Sequence, residues 1–193
     1  MAATSDLDQR SPRSTQVVPS GVMGMLLFVF TEAMLFAGLI AAHTIVKAAA
    51  NEWPPVNQPR LPFAATMVNT AALLISGVFL VFAHVAYRRR ADLAKTPLLV
   101  ATLLGAFFVF FQGREWAALL AQGLTLTSSP YASFFYVIVG THALHAIGAL
   151  GGMAWAWQRL RAGRLTPSQL GTVEVFWYFV VLVWPMIYLR VYL

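Results

Sequence analysis

The chain has 193 residues, 59% of them hydrophobic and only 10% charged, which leaves too little polar surface to coat a water-soluble domain. Its formal net charge of +6 is accounted for by cations at the ends of apolar segments facing anionic lipid, and no soluble basic face is present to support nucleic-acid binding. The absence of cysteine excludes an iron–sulfur cluster, a thiolate-bridged copper centre or a c-type haem attachment built on this chain alone.

Residues 1–20 are polar and contain Pro12 and Pro19, so a disordered or surface-bound tail is expected there. Residues 21–193 offer five apolar stretches of about 20 residues or more, each long enough to cross a bilayer: 21–46, 63–87, 97–120, 131–157 and 171–193. The fold class expected is all-α, an integral membrane bundle of five transmembrane helices, and the short connectors leave no room for a separate soluble domain. The first run is far longer than the apolar core of a signal peptide and is expected to remain in the mature protein. Strand alternation is missing, so a membrane β-barrel does not compete.

Orientation follows from the cations. With the N-terminus inside, the inner segments carry Arg10, Arg13, Arg88, Arg89, Arg90, Lys95, Arg159, Arg161 and Arg164, against Lys47, Arg60, Arg114 and Arg190 outside. The positive-inside rule therefore places the N-terminus in the cytoplasm.

In the first span, Glu32 is the only charge between Gly21 and Val46. An ionised carboxylate there would cost several kcal/mol, about 3 on insertion scales, so Glu32 is expected to face protein or a water cavity and to be protonated or paired. Proton handling is the function class this suggests, with helix packing through the same carboxyl as the plainer alternative. In the second span, Asn69, Thr70, Ser76 and Gly77 suit close helix contact and hydrogen bonding to a neighbour, as does Gly148-x-x-x-Gly152 in the fourth.

The third span carries Gln112, Arg114, Glu115 and Trp116 in its outer third. Two readings stand side by side: a buried tie to another helix or subunit, with Arg114 neutralising Glu115, or a span end with snorkelling charges. In the fourth span, His142 and His145 lie three apart and share a helix face, a spacing compatible with metal ligation or proton relay. Interhelical hydrogen bonding is favoured, because His43 lies near the outer end of span one and His84 near the inner end of span two, too far in depth to complete a haem or metal site. Arg159, past the inner end of span four, suits a lipid phosphate as well as simple topology signalling. Glu174 opens span five on the inner side, where a helix N-terminus favours an anion.

The order of these segments resembles subunit III of the haem–copper terminal oxidases, in a shortened form with five spans rather than seven, over nearly the whole chain after Ser20. Thr31-Glu-Ala-Met-Leu-Phe36 is similar to the family's helix with a buried glutamate. Leu61-Pro62 followed by Asn69-Thr70, Ser76-Gly77 and Ala83-His84 is similar to the next helix. Gln112-Gly-Arg-Glu115-Trp116 resembles its Gln-x-x-Glu-aromatic segment, and Thr141-His-Ala-Leu-His145 its Phe-His-Gly-Leu-His. The last helix departs: where the family reads Tyr-Trp-His-Phe-Val-Asp, this chain has Phe176-Trp-Tyr-Phe-Val-Val181, so Tyr178 replaces the histidine and Val181 the aspartate.

The resemblance implies a cofactor-free accessory subunit of a respiratory oxidase in the bacterial inner membrane. Haems and copper would sit in a catalytic subunit I and a copper-bearing subunit II, and membership of a larger respiratory supercomplex is compatible with it. Glu32 would support proton uptake into the neighbour, and bound phospholipid would meet Arg159. A partner of a quinol oxidase or nitric-oxide reductase is the related alternative. An independent proton-coupled transporter is disfavoured, because the spans lack helix-breaking Gly/Pro pairs and an inverted repeat.

Overall fold

The structure is a computed structural model that describes residues 18–56, 58–61 and 63–192; the tail expected over residues 1–20 lies almost wholly outside the described residues. The described residues form five long helices: α1 (Ser20–Ala49), α2 (Phe63–Arg89), α3 (Lys95–Ala121), α4 (Pro130–Arg161) and α5 (Pro167–Ile187). A 3₁₀ turn, Ala91–Ala94, joins α2 to α3, and π-type turns over Tyr188–Tyr192 continue α5. All five are long and apolar enough to span a membrane. α1, α3 and α4 run one to four residues beyond the expected spans at each end, α2 only past its C-terminal end, and α5 starts four residues early while its α-helix stops at Ile187, short of the expected 193.

The helix ends follow from local sequence. Ser129 caps α4 by accepting from the Ala132 N–H, with Pro130 in the first turn, where its missing N–H costs nothing. Thr166 and Gln169 form a reciprocal capping box at the start of α5, with Pro167 in its first turn. Gly123 and Gly163 have φ of 87° and 65° and end α3 and α4. At the first, Leu124 N–H reaches Leu119 O and Gly123 N–H reaches Leu120 O; at the second, Arg164 N–H reaches Arg159 O and Gly163 N–H reaches Leu160 O. Both are Schellman caps, and the first is reinforced by burial of Leu119 and Leu124.

Helix α5 is the centre of the bundle, packing on α1, α2 and α4 and burying Trp177, Val180, Trp184 and Ile187. α2 supplies a stripe at three- and four-residue spacing, Thr66, Asn69, Thr70, Leu73, Ser76, Gly77, Leu80 and Ala83, all buried. A ladder of polar ties fastens α2 to α5: His84 to Glu174, Trp177 Nε1–H to Ser76 Oγ (3.0 Å), Trp184 Nε1–H to Thr70 Oγ1 (2.8 Å) and Tyr188 O–H to the Phe63 carbonyl (3.2 Å). As one partner's number rises the other's falls, so the ladder fixes an antiparallel register. Gly148 and Gly152 of α4 lie beside Phe176 and Val173 of α5, but a side-chain carbon there would meet them at 3.7 and 3.6 Å, an ordinary contact, so the packing does not require glycine.

α1 lies at the edge against α4 and α5 and buries only Phe36 and His43. Its exposed Met23, Leu27, Phe30, Met34 and Ile45 suit a lipid-facing surface. Phe36 and His43, with half-buried Val29, Glu32 and Ile40, form its inward face, and Phe28 lies at its exposed edge.

Candidate functional site

Glu32 meets His145 across the α1–α4 contact, Oε2 to Nε2 at 3.0 Å, with side chains 19% and 12% exposed. Four phenylalanines surround the imidazole: Phe28 and Phe36 from α1, and Phe176 and Phe179 from α5, with ring centroids 5.5 to 6.3 Å away. The Nδ1 of His145 lies 2.7 Å from the Thr141 carbonyl, which only accepts, so Nδ1 carries a hydrogen. The Glu32 contact then holds one further proton, either on the carboxyl and given to Nε2, or on Nε2 and given to the carboxylate. Either form leaves the pair neutral overall, which suits an apolar cage. This arrangement can hold one proton and pass it between carboxyl and imidazole with no change in net charge, whereas giving that proton up leaves the pair with a single negative charge.

His142 is one turn away on α4 and shares Phe36 with His145, but its other neighbours differ. Its ring is fully enclosed among Phe36, Phe108 and Trp184, and neither ring nitrogen has a partner among the described residues. The two histidines share one side of α4, yet only His145 makes an interhelical polar contact.

Gln112 and Glu115 join a network toward α2. Glu115 Oε2 accepts from Thr66 Oγ1 at 2.9 Å and from Gln112 Nε2 at 3.3 Å; Gln112 Nε2 also donates to Tyr192 Oη at 3.0 Å, and its Oε1 accepts from Asn69 Nδ2 at 3.3 Å. Arg114 does not neutralise Glu115. Adjacent residues on a helix point about 100° apart, so Arg114 is exposed while Glu115 turns toward α2.

Arg159 stacks over Trp155 (5.1 Å to the ring centroid), and its Nε and Nη2 donate to the Arg164 carbonyl at 3.4 and 3.3 Å. It thereby staples the turn between α4 and α5 on the same end of the bundle as Arg88 to Arg90.

A second carboxylate–histidine pair went unread in the sequence. His84 Nδ1 lies 2.8 Å from Glu174 Oε2, with the glutamate side chain 7% exposed and the histidine 44%. Taken singly, each residue marked a helix end; the pairing needs the register of α2 against α5, which no local spacing carries. His43 is buried under Trp53 and Phe134 at the opposite end. Among the described residues no cluster of three or more His, Asp and Glu is placed to hold a metal.

Comparison with known proteins points to one family. The family model described as cytochrome c oxidase subunit III matches residues 8–193. A protein from Nocardia farcinica described as a probable cytochrome c oxidase subunit 3 is 32% identical over 176 residues, covering 88% of this chain and 86% of its own length. The cytochrome c oxidase subunit 3 of Emericella nidulans is 34% identical over 191 residues (92% and 69%), and that of Lumbricus terrestris 31% over 189 residues (92% and 72%).

Proposed function

The chain belongs to the cytochrome c oxidase subunit III family, and from that premise we propose that its Glu32–His145 pair supports proton uptake by a neighbouring catalytic subunit. The chain is an integral membrane protein and an accessory subunit of a multi-subunit haem–copper oxidase of the respiratory chain. In our reading it binds no redox cofactor itself. Haems and copper belong to subunits I and II, the N-terminus faces the cytoplasm of a bacterial cell, and phospholipid is held at the cationic end near Arg159.

The observation that carries the proton role is the cage: a carboxyl and an imidazole, 3.0 Å apart and ringed by four phenylalanines, at the middle of a span. A packing role alone would be met by any neutral hydrogen-bonding pair. Glu32→Gln retains the shape and a donor for His145 but cannot exchange a proton. In the assembled oxidase it is expected to slow proton uptake or shorten turnover life at high pH while subunit composition stays intact. Normal kinetics across pH in a fully assembled Gln variant would leave the pair a structural tie.

A further inference from the structure

Helix α4 ends in two tryptophan–arginine stacks that face different ways. Arg159 lies over Trp155, and Arg161 lies over Trp157 at 4.9 Å from the ring centroid. Residues two apart on a helix point about 200° from each other, so the second stack sits on the opposite side of α4 from the first. That side meets the start of α3, where Trp157 Nε1–H donates to the Lys95 carbonyl at 3.2 Å. Between the two helix ends the surface dips into an open pocket of about 180 Å³ lined by Lys95, Thr96, Leu99, Trp157 and Arg161. The cations here differ from Arg159 in what their donors do. Arg159 spends Nε and Nη2 on the Arg164 carbonyl. Arg161 is held by the indole face, with no hydrogen bond or ion pair to its guanidinium among the described residues, so its five N–H donors are unspent. Lys95 has one contact, Nζ to Asp92 Oδ1 at 2.6 Å, which leaves two of its three donors.

We propose that this pocket seats the headgroup of one anionic phospholipid, its phosphodiester on Arg161 and Lys95 and an acyl chain running along α3 past Leu99. The charges match: Lys95 and Arg161 against Asp92 leave one net positive charge, which a phosphodiester neutralises and a zwitterionic lipid does not. The planar guanidinium offers two parallel donors to phosphate oxygens, and its stacking on Trp157 fixes it beforehand, so little freedom is lost on binding. Apolar surface continues where the chain must go, since Leu99 lines the pocket and exposed Leu103 follows one turn further into the span. A soluble phosphate would use the cations and leave that surface bare. The proposal rests on the reading that the cationic end of the bundle holds phospholipid, and it adds a site that Arg159 does not touch.

The test is lipid reloading of the purified, assembled oxidase, delipidated in detergent and then titrated with mixed micelles of detergent and phosphatidylglycerol, with bound lipid counted by native mass spectrometry. Arg161→Gln removes the charge and disturbs no described partner except the indole, so the complex is expected to assemble and to bind phosphatidylglycerol several-fold more weakly. Arg161→Lys keeps the charge but loses the planar fork, and it should be weakened as well. Phosphatidylcholine should load poorly in the wild type, and excess inorganic phosphate should not displace phosphatidylglycerol. Either Arg161 variant binding as tightly as the wild type, equal loading of phosphatidylcholine, or displacement by inorganic phosphate would overturn the proposal. Arg159→Ala measured in parallel keeps the two lipid readings apart. Loss of lipid there, with none in the Arg161 variants, leaves phospholipid at the cationic end and removes this site; loss in the Arg161 variants alone assigns the lipid to the α3–α4 pocket.

Discussion

Gly105 on α3 is the position where one methyl group should do most damage. A β-carbon built there would stand 2.5 Å from Cη2 and 2.6 Å from Cζ2 of Trp177, against about 3.5 Å or more for carbon–carbon contact, so something must move by about 1 Å. The indole has nowhere to go. It is fully buried, and its Nε1–H is spent on Ser76 Oγ, which in turn donates to the Ala101 carbonyl at 2.8 Å. Overpacking of this kind costs about 1–3 kcal/mol, and straining the indole–hydroxyl bond adds up to about 1 kcal/mol. The better helix propensity of alanine returns about 1 kcal/mol. Gly105→Ala should therefore destabilise by up to about 3 kcal/mol, read as earlier loss of this subunit when the purified complex is heated or titrated with a denaturing detergent. Gly151→Ala, with nothing within 4 Å of the new carbon, gains the same propensity without the clash and should hold or slightly improve stability. Indistinguishable melting of the two variants would refute the assigned packing of Trp177 on Gly105.

Two further outcomes follow from the cationic end of the bundle. His84→Ala leaves the buried Glu174 carboxyl without its partner and should cost about 1–3 kcal/mol, whereas the double change His84→Leu with Glu174→Leu should recover most of it; a double variant no more stable than the single one in thermal unfolding would count against the pair. Arg159→Ala should lower the phospholipid that co-purifies with the oxidase more than Arg114→Ala does, and equal lipid content by mass spectrometry in both variants would remove Arg159 from the lipid contacts.

What sequence spacing conveys here is which residues face inward. The α2 stripe from Thr66 to Ala83 and the alignment of Glu32 with Phe36 follow directly from a period of 3.6. What spacing does not convey is which inward residue meets which. Polar residues at helical spacing mark an inward face, but in lipid the remaining outer and inner surfaces are both apolar, so hydropathy does not set the register of one helix against another. Glu174 and His84, 90 residues apart, therefore read as two helix ends, and Gly105 carried no sign that it lies beneath Trp177. Of the readings that the sequence left open for this cluster, neutralisation of Glu115 by Arg114 fails for the opposite reason, since nearness along the chain is not nearness around the helix, while the tie of Glu115 to another helix is present. Proposals that rest on one residue's type survive this better than those that rest on a pair.

Register also explains why Glu32 is hard to assign to a single role. α5 is tied to α2 by four polar contacts, but among the described residues the polar tie from α1 to the rest of the bundle is Glu32 to His145. The same carboxyl thus positions an edge helix and carries an exchangeable proton, and an interhelical hydrogen bond in a membrane contributes about 0.6 kcal/mol on average, up to about 1.7. Two substitutions separate the roles. In Glu32→Gln the amide N–H can donate to His145 Nε2, because Nδ1–H is committed to the Thr141 carbonyl, so the tie remains and only the proton is lost. In Glu32→Leu both are lost, and His145 Nε2 is left unpaired inside four phenylalanines. A proton role requires the Gln and Leu oxidases to share the same kinetic defect at high pH, with the Leu variant alone showing weaker retention of this subunit. If Gln behaves as wild type and only Leu is impaired, Glu32 fastens α1 and does nothing more.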